Sequence, residues 1–159
     1  MAEFLWGVSP TQVDSVAQFT LGTECRDPRT RDFPQNVLRY VKSNAAIAAN
    51  AALTRDLTDE TNEPHAVVAT TATGQILEGI AHVAIASGSF GWVTIKGKGT
   101  NNVTAAVAAG VGLGSTATAG RLTTVATQGA ETIASQQGVR IVTIDSSAGS
   151  GLVDVVINM

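Results

Sequence analysis

The chain has 159 residues and a mass of 16.3 kDa; 44% of it is hydrophobic, 14% charged, and the net charge is −3 with a pI near 5.2. That length suits one domain with an arm, and its core needs no disulfide or metal staple. High hydrophobicity with low charge excludes disorder, the absence of Glu/Lys/Leu heptads excludes a coiled coil, and the longest weakly polar stretch, residues 105–113, is cut by Gly110 and Gly112 and is too short to span a bilayer.

Residues 1–65 hold all four prolines and 15 of the charged side chains; residues 66–159 hold no proline and 8 charges. The first part reads as an N-terminal arm with irregular loops, residues 1–35. Its aromatic and apolar side chains, Phe4, Leu5, Trp6, Phe19 and Phe33, are anchors suited either to a partner's pocket or to the chain's own barrel. The basic residues Arg26, Arg29 and Arg31 are interleaved with Glu24, Asp27 and Asp32, so they create little net field. The N-terminus has no basic region and no long apolar run of a signal peptide, and the single cysteine, Cys25, allows no internal disulfide. Folding in a cytoplasm is the expectation.

From residue 36 to 159 the pattern is all-β. Residues 37–42 alternate as a half-buried strand, with Val37, Arg39 and Val41 on one face and Leu38, Tyr40 and Lys42 on the other. Residues 44–53 are alanine-rich, but Ile47 and Leu53 are too few for an amphipathic helix. They read as a loop leading into a strand, with a short helix as the alternative. Residues 80–86 and 90–96 form a predicted hairpin, with Ala81, Val83 and Ile85 on one face of the first strand and Val93 and Ile95 on one face of the second. A Gly/Ala/Thr region follows from 103 to 128, with a short strand at 121–125. Residues 132–137 suit one helical turn. Residues 139–145 and 152–157 form a closing hairpin in which Val153, Val155 and Ile157 share a face.

Chemistry is sparse. His65 follows Pro64 at the end of an acidic loop and is expected to be exposed; His82 sits in a predicted strand. Two histidines, one cysteine and scattered carboxylates show no ligand spacing, so neither metal nor cofactor is expected. No Gly-x-Ser-x-Gly elbow is present, and the glycines at 110, 112 and 114 lack the strand–helix frame of a phosphate loop. Cys25, with arginines but no histidine near it in sequence, reads as a structural thiol. The acidic loop at 56–64 lacks the alternating ligands of a calcium loop. The acidic overall balance argues against a nucleic-acid partner, whose phosphates need a basic face. A sparsely charged Ala/Thr/Gly surface points instead to a protein partner.

Three pieces of sequence then form a pattern: Gly79-Ile80-Ala81, Ala86-Ser87-Gly88-Ser89-Phe90-Gly91, and Trp92-Val93-Thr94-Ile95-Lys96-Gly97, preceded by Tyr40-Val41-Lys42 and residues 44–50 and followed by Ala108-Ala109-Gly110. Over residues 35–159 this resembles the virion proteins of tailed bacteriophages that decorate or cement the capsid. The resemblance implies a small β-barrel or β-tulip-like domain, residues 36–159. It also implies attachment to the outer surface of an icosahedral shell, assembly as a homotrimer, and bridging of neighbouring major capsid subunits. Neither catalysis, a nucleic acid nor a membrane is implied. The expected interface residues are Phe4, Leu5, Trp6, Phe19, Phe33 and Trp92. The alternative is another virion β-module, tail- or fibre-associated and host-binding, in which an exposed Trp92 or Tyr40 stacks on carbohydrate.

Overall fold

The computed structural model describes residues 8–27, 36–58, 65–124 and 140–158. Eleven strands and no helix lie among them: β1 (Val13–Asp14), β2 (Glu24–Arg26), β3 (Val37–Ser43), β4 (Ala52–Arg55), β5 (Ala66–Ala69), β6 (Gly79–Ala81), β7 (Phe90–Val103), β8 (Gly112–Ser115), β9 (Leu122–Thr124), β10 (Arg140–Thr143) and β11 (Gly151–Asn158). The all-β expectation holds.

The pairings close two five-stranded barrels. β3, β5, β4, β6 and the first half of β7 form one, closed where β3 meets β7 antiparallel. The second half of β7, β9, β8, β10 and β11 form the other, closed where β11 meets β7 antiparallel. The fourteen-residue β7 is thus the last strand of the first barrel and the first strand of the second.

The two barrels repeat each other position by position. Each contains one parallel pairing, Ser43 with Val67 in the first and Val103 with Leu122 in the second. Leu53 faces Ala69 and Gly79; Leu113 faces Thr124 and Ile141. After the entering strand, one residue makes an isolated bridge across the barrel, Ile47 to Ile85 and Val107 to Ser147. A residue at positive φ then turns the chain, Asn50 at 57° and Gly110 at 77°. Asn50 N–H donates to Ala81 O (2.9 Å), and Gly110 N–H to Thr143 O (2.8 Å).

Side chains on one face of each strand fill the interiors, as a period of two requires. Val41, Ile47, Leu53, Val67, Ile85, Val93 and Ile95 pack in the first barrel; Val103, Val107, Leu113, Leu122, Val153, Val155 and Ile157 pack in the second. Burying each such side chain contributes roughly 1.5–3 kcal/mol. Ala52, Leu77 and Ile80, from the outer face of the first barrel, belong to the second core, so the barrels share a hydrophobic seam. Ala52 N–H also donates to Gly120 O, and Gly120 N–H to Thr70 O, both at 2.8 Å.

Two sequence expectations change and one is met. The strand expected over 80–86 stops at Ala81, because the chain turns away and only Ile85 rejoins, through its bridge to Ile47. Residues 44–51 contain no helix, and the chain enters β4 at Ala52, as the loop reading has it. The Gly/Ala/Thr region contains a strand that alternation does not reveal, β8, with two glycines in four residues. The helical turn expected over 132–137 lies outside the described residues.

Candidate interaction surface

The outer face of the first barrel, where β3 and β7 run side by side, carries Leu38, Tyr40 and Trp92. Opposite positions in an antiparallel pair bring side chains together, and Tyr40 stands opposite Trp92. Their ring centroids are 5.0 Å apart. Phe19 meets both edge-on, at 5.2 Å from each, and Phe90 stacks on Tyr40 at 6.1 Å. Val8, Leu21 and Cys25 complete the cluster.

The described part of the N-terminal segment, residues 8–27, therefore folds back on its own barrel. β2 adds to β3, and β1 adds to β7 by pairing Val13 with Gly91 and Asp14 with Phe90. Tyr40 Oη ties the segment down. It donates to Asp14 Oδ2 (2.7 Å) and accepts from Gln18 N–H (3.2 Å). Burial is the main reason its pKa is pushed up to about 12, so the phenol remains a donor across the physiological range.

This places the expected interface residues. Trp92 is only 1% exposed and Tyr40 0%, so both are core residues of this protomer. Neither ring is free to stack on a sugar, which corrects the expectation of an exposed platform. The reason is local: the outward face of β7 here is the face that the N-terminal segment covers. Phe19 is half-buried over them. Phe4, Leu5, Trp6 and Phe33 lie outside the described residues.

A charged group centres on Arg39, between Leu38 and Tyr40 in β3. Arg39 bonds Glu24 Oε1 through Nη2 (2.7 Å) and Nε (3.1 Å), and Glu78 Oε2 through Nη1 (3.2 Å). His65, expected to be exposed, is half-buried, and its imidazole lies so close to Gly22 that a Cβ there would collide with it. Burial first, then the Arg39 charge, hold its pKa below the ordinary value. His82 hydrogen-bonds Thr94 Oγ1. Burial, then the Asp27 charge, raise the Cys25 pKa to about 11, so the thiol stays protonated and unreactive at neutral pH. Among the described residues, no group of three His, Cys, Asp or Glu side chains is placed to hold a metal ion, and no helix is long and apolar enough to cross a membrane.

The matching face of the second barrel differs. Register places Thr100 where the first barrel has Tyr40, Asp154 where it has Trp92, and Leu152 where it has Phe90. Thr100 Oγ1 donates to Asp154 Oδ1 (3.0 Å), and Lys98 Nζ pairs with Asp154 Oδ2 (2.9 Å). These hydrogen bonds and the Lys98 charge hold the Asp154 pKa below the usual carboxylate range. Beside them Ile144 and Leu152 are large, exposed and apolar, at 48% and 56%.

Strand alternation does not declare the repeat that organises these two faces. The signal was present: Ala45-Ala46-Ile47-Ala48-Ala49 recurs as Ala105-Ala106-Val107-Ala108-Ala109, 60 residues further on. No protein-family model matches the chain, and no curated protein matches it. Among solved structures, the fold is similar to that of the N base of head fiber gp8.5 in bacteriophage phi29, with a TM-score of 0.50 and 14% identity. The similarity covers 77% of this chain and 94% of that one, and at such low identity it is a likeness of fold.

Proposed function

We propose that this chain is a structural protein of a tailed-bacteriophage virion, bound to the outer surface of the icosahedral capsid, where it cements neighbouring major capsid subunits as a homotrimer. The observation that supports this most is the shared fold with the base of a phage head fiber over 77% of the chain. In this reading the chain transforms no substrate, needs no cofactor, and contacts neither nucleic acid nor membrane. It is made in the host cytoplasm and becomes part of the capsid exterior.

The physical logic is multivalent. A trimer that touches several capsid subunits sums modest interfaces into firm attachment, because each contact after the first is intramolecular. Two barrels sharing a seam and one long strand form a stiff body, and a stiff body loses little conformational entropy when it binds.

Electron cryo-microscopy of native particles, with the mass of the free protein from sedimentation, tests the proposal. The expected result is a trimer in solution and density at three-fold positions of the capsid exterior, with a matching copy number. Absence of the chain from purified virions would overturn it. A second reading makes the chain the foot on which a fibre stands, and the head-fiber neighbour favours it. Density rising outward from the attached protein would select that reading.

A further inference from the structure

The repeat turns one barrel into a template for the other. In the first barrel, β6 leaves β7 after Ala81 pairs with Val93, and β1 takes over the same side of β7 at Gly91 and Phe90. In the second barrel, β10 leaves β11 after Thr143 pairs with Val155. The equivalent positions are Val153 and Leu152, and no strand lies on that side of them among the described residues.

Bond direction fits an edge left unpaired among the described residues. Ile144 N–H donates to Asp154 O (2.8 Å), so the Asp154 backbone points away from β7. Antiparallel strands alternate, so two residues earlier the Leu152 N–H and C=O point the same way. Register also builds an apolar patch on this outer face. Val142 stands opposite Val156, and Ile144 lies beside Asp154, diagonal to Leu152. In the first barrel the equivalent edge is filled and its face covered by residues 8–27 of the same chain.

We infer that the β11 edge at Leu152–Val153 docks an extended segment of another protein chain, added as a short antiparallel strand. This chain's own strand of that kind, β1, is already engaged on β7. The face states what the segment looks like. It places an apolar side chain over Ile144 and Leu152. Thr100 and Asp154 stand on the same outer face, where the first barrel has aromatic rings that receive Phe19, so the residue two positions along the segment, which shares that face, is small and polar. Main-chain hydrogen bonds supply affinity and the alternate side chains supply selectivity. The site goes beyond the virion reading and is tested without a particle.

The test is an array of heptapeptides in which an apolar residue and a small polar residue stand two positions apart, probed with the full chain and three variants. Leu152→Pro removes the outward N–H while sparing the β7–β11 hydrogen bonds, which Leu152 does not make. Ile144→Lys spoils the apolar patch without touching the backbone, and it keeps the test valid if the proline variant misfolds by circular dichroism. Leu57→Lys, at an exposed leucine outside β10 and β11, is the control. The expected result is binding of peptides with Val, Ile or Leu at one position and a small polar residue two positions away, and this binding weakens about tenfold or more in Leu152→Pro and Ile144→Lys but not in Leu57→Lys, as losing an outward backbone hydrogen bond or the apolar contact predicts. Peptide binding equal in all variants, or none at all, would overturn the inference. So would self-association of the wild type that Leu152→Pro abolishes, since the edge would then pair copies of this chain.

Discussion

The two barrels share a backbone plan yet solve the same positions with different side chains. Val41 faces the first interior, and the register-equivalent position in the second is Asn101, fully buried. The amide is tolerated because Nδ2 donates to Asn50 O (2.9 Å) and Gly120 O (3.3 Å), two carbonyls of turns at the seam. Bulk is exchanged as well. The first barrel has Ile85 on the crossing loop and Gly91 in the strand; the second has Ser147 and Val153. A Cβ on Gly91 would lie 2.8 Å from Ile85 Cδ1, so one site cannot hold both large side chains. A fold can be repeated without its sequence because packing constrains the summed volume at a site, not the identity of each contributor.

The outer faces diverge further. The first barrel spends three fully or half-buried rings on securing residues 8–27; the second presents Thr100, Asp154, Ile144 and Leu152 to its surroundings. One face is covered within the chain, and the other carries no covering strand among the described residues.

The comparison breaks most completely if either core is charged. Val155→Asp leaves an unpaired carboxylate in the second interior, at a cost above about 4 kcal/mol. The expected outcome is insoluble or unfolded protein, and because the barrels share the Ile80–Leu77 seam the first barrel unfolds with it. A urea titration showing one barrel still folded would break the claim of a shared core.

Glycines sharpen it next. Gly97 joins the two halves of β7 at φ 104°, and a Cβ there would overlap the Asn36 side chain and lie 2.8 Å from Asn36 Cα. Asn36 is held in place by Lys98, donating to its C=O (2.9 Å) and accepting from its N–H (2.7 Å). Gly97→Ala is expected to cost about 2–4 kcal/mol. Gly110→Ala, with positive φ but open space around it, is expected to cost about 1 kcal/mol. Thermal melts of the two variants measure the difference.

Asn101→Val gives the second barrel the first barrel's residue. It removes one of the hydrogen bonds accepted by each of Asn50 O and Gly120 O, while the Asn102 and Ala52 N–H groups still donate to them, and it is expected to cost about 1 kcal/mol. A neutral result would mean that removing the buried Asn101 Oδ1, which has no hydrogen-bond partner, offsets the two lost bonds.

The smallest effects are those of pH. His65 has a folded pKa below its unfolded value of 6.5, so the unfolded chain binds the proton more readily. Stability is complete above that value and declines as pH falls through it toward the folded pKa. Amide exchange at Gly22 and its neighbours, which pack on this imidazole, is expected to quicken in that window. His65→Gln is expected to flatten the response. Asp154 acts at lower pH: its depressed folded pKa makes its contribution complete above the unfolded carboxylate value and lost as pH falls through the folded one. The pair with Lys98 is half-exposed, so the loss is below about 1 kcal/mol.

Much of the fold was legible locally. Val153, Val155 and Ile157 declare their shared face by alternation, and all three are buried. Cys25 reads as an inert thiol because no histidine stands near it in sequence, and burial makes it so. β8 was not legible, since glycines provide no side chain to alternate and a strand with two of them is defined by its neighbours' ladders. Nor was the fate of Trp92, because alternation assigns a residue to a face and says nothing of what covers that face.

By itself, the order of residues determined the all-β class, most of the strands and the scarcity of catalytic groups, because these follow from alternation, turn chemistry and composition over a few neighbouring positions. Tertiary structure alone decided that β7 serves two barrels, that Tyr40 and Trp92 are enclosed by residues 8–27, and that no described strand covers Leu152 on the side away from β7. Those outcomes depend on pairings between strands far apart along the chain, and the free energy of such a pairing belongs to both partners at once.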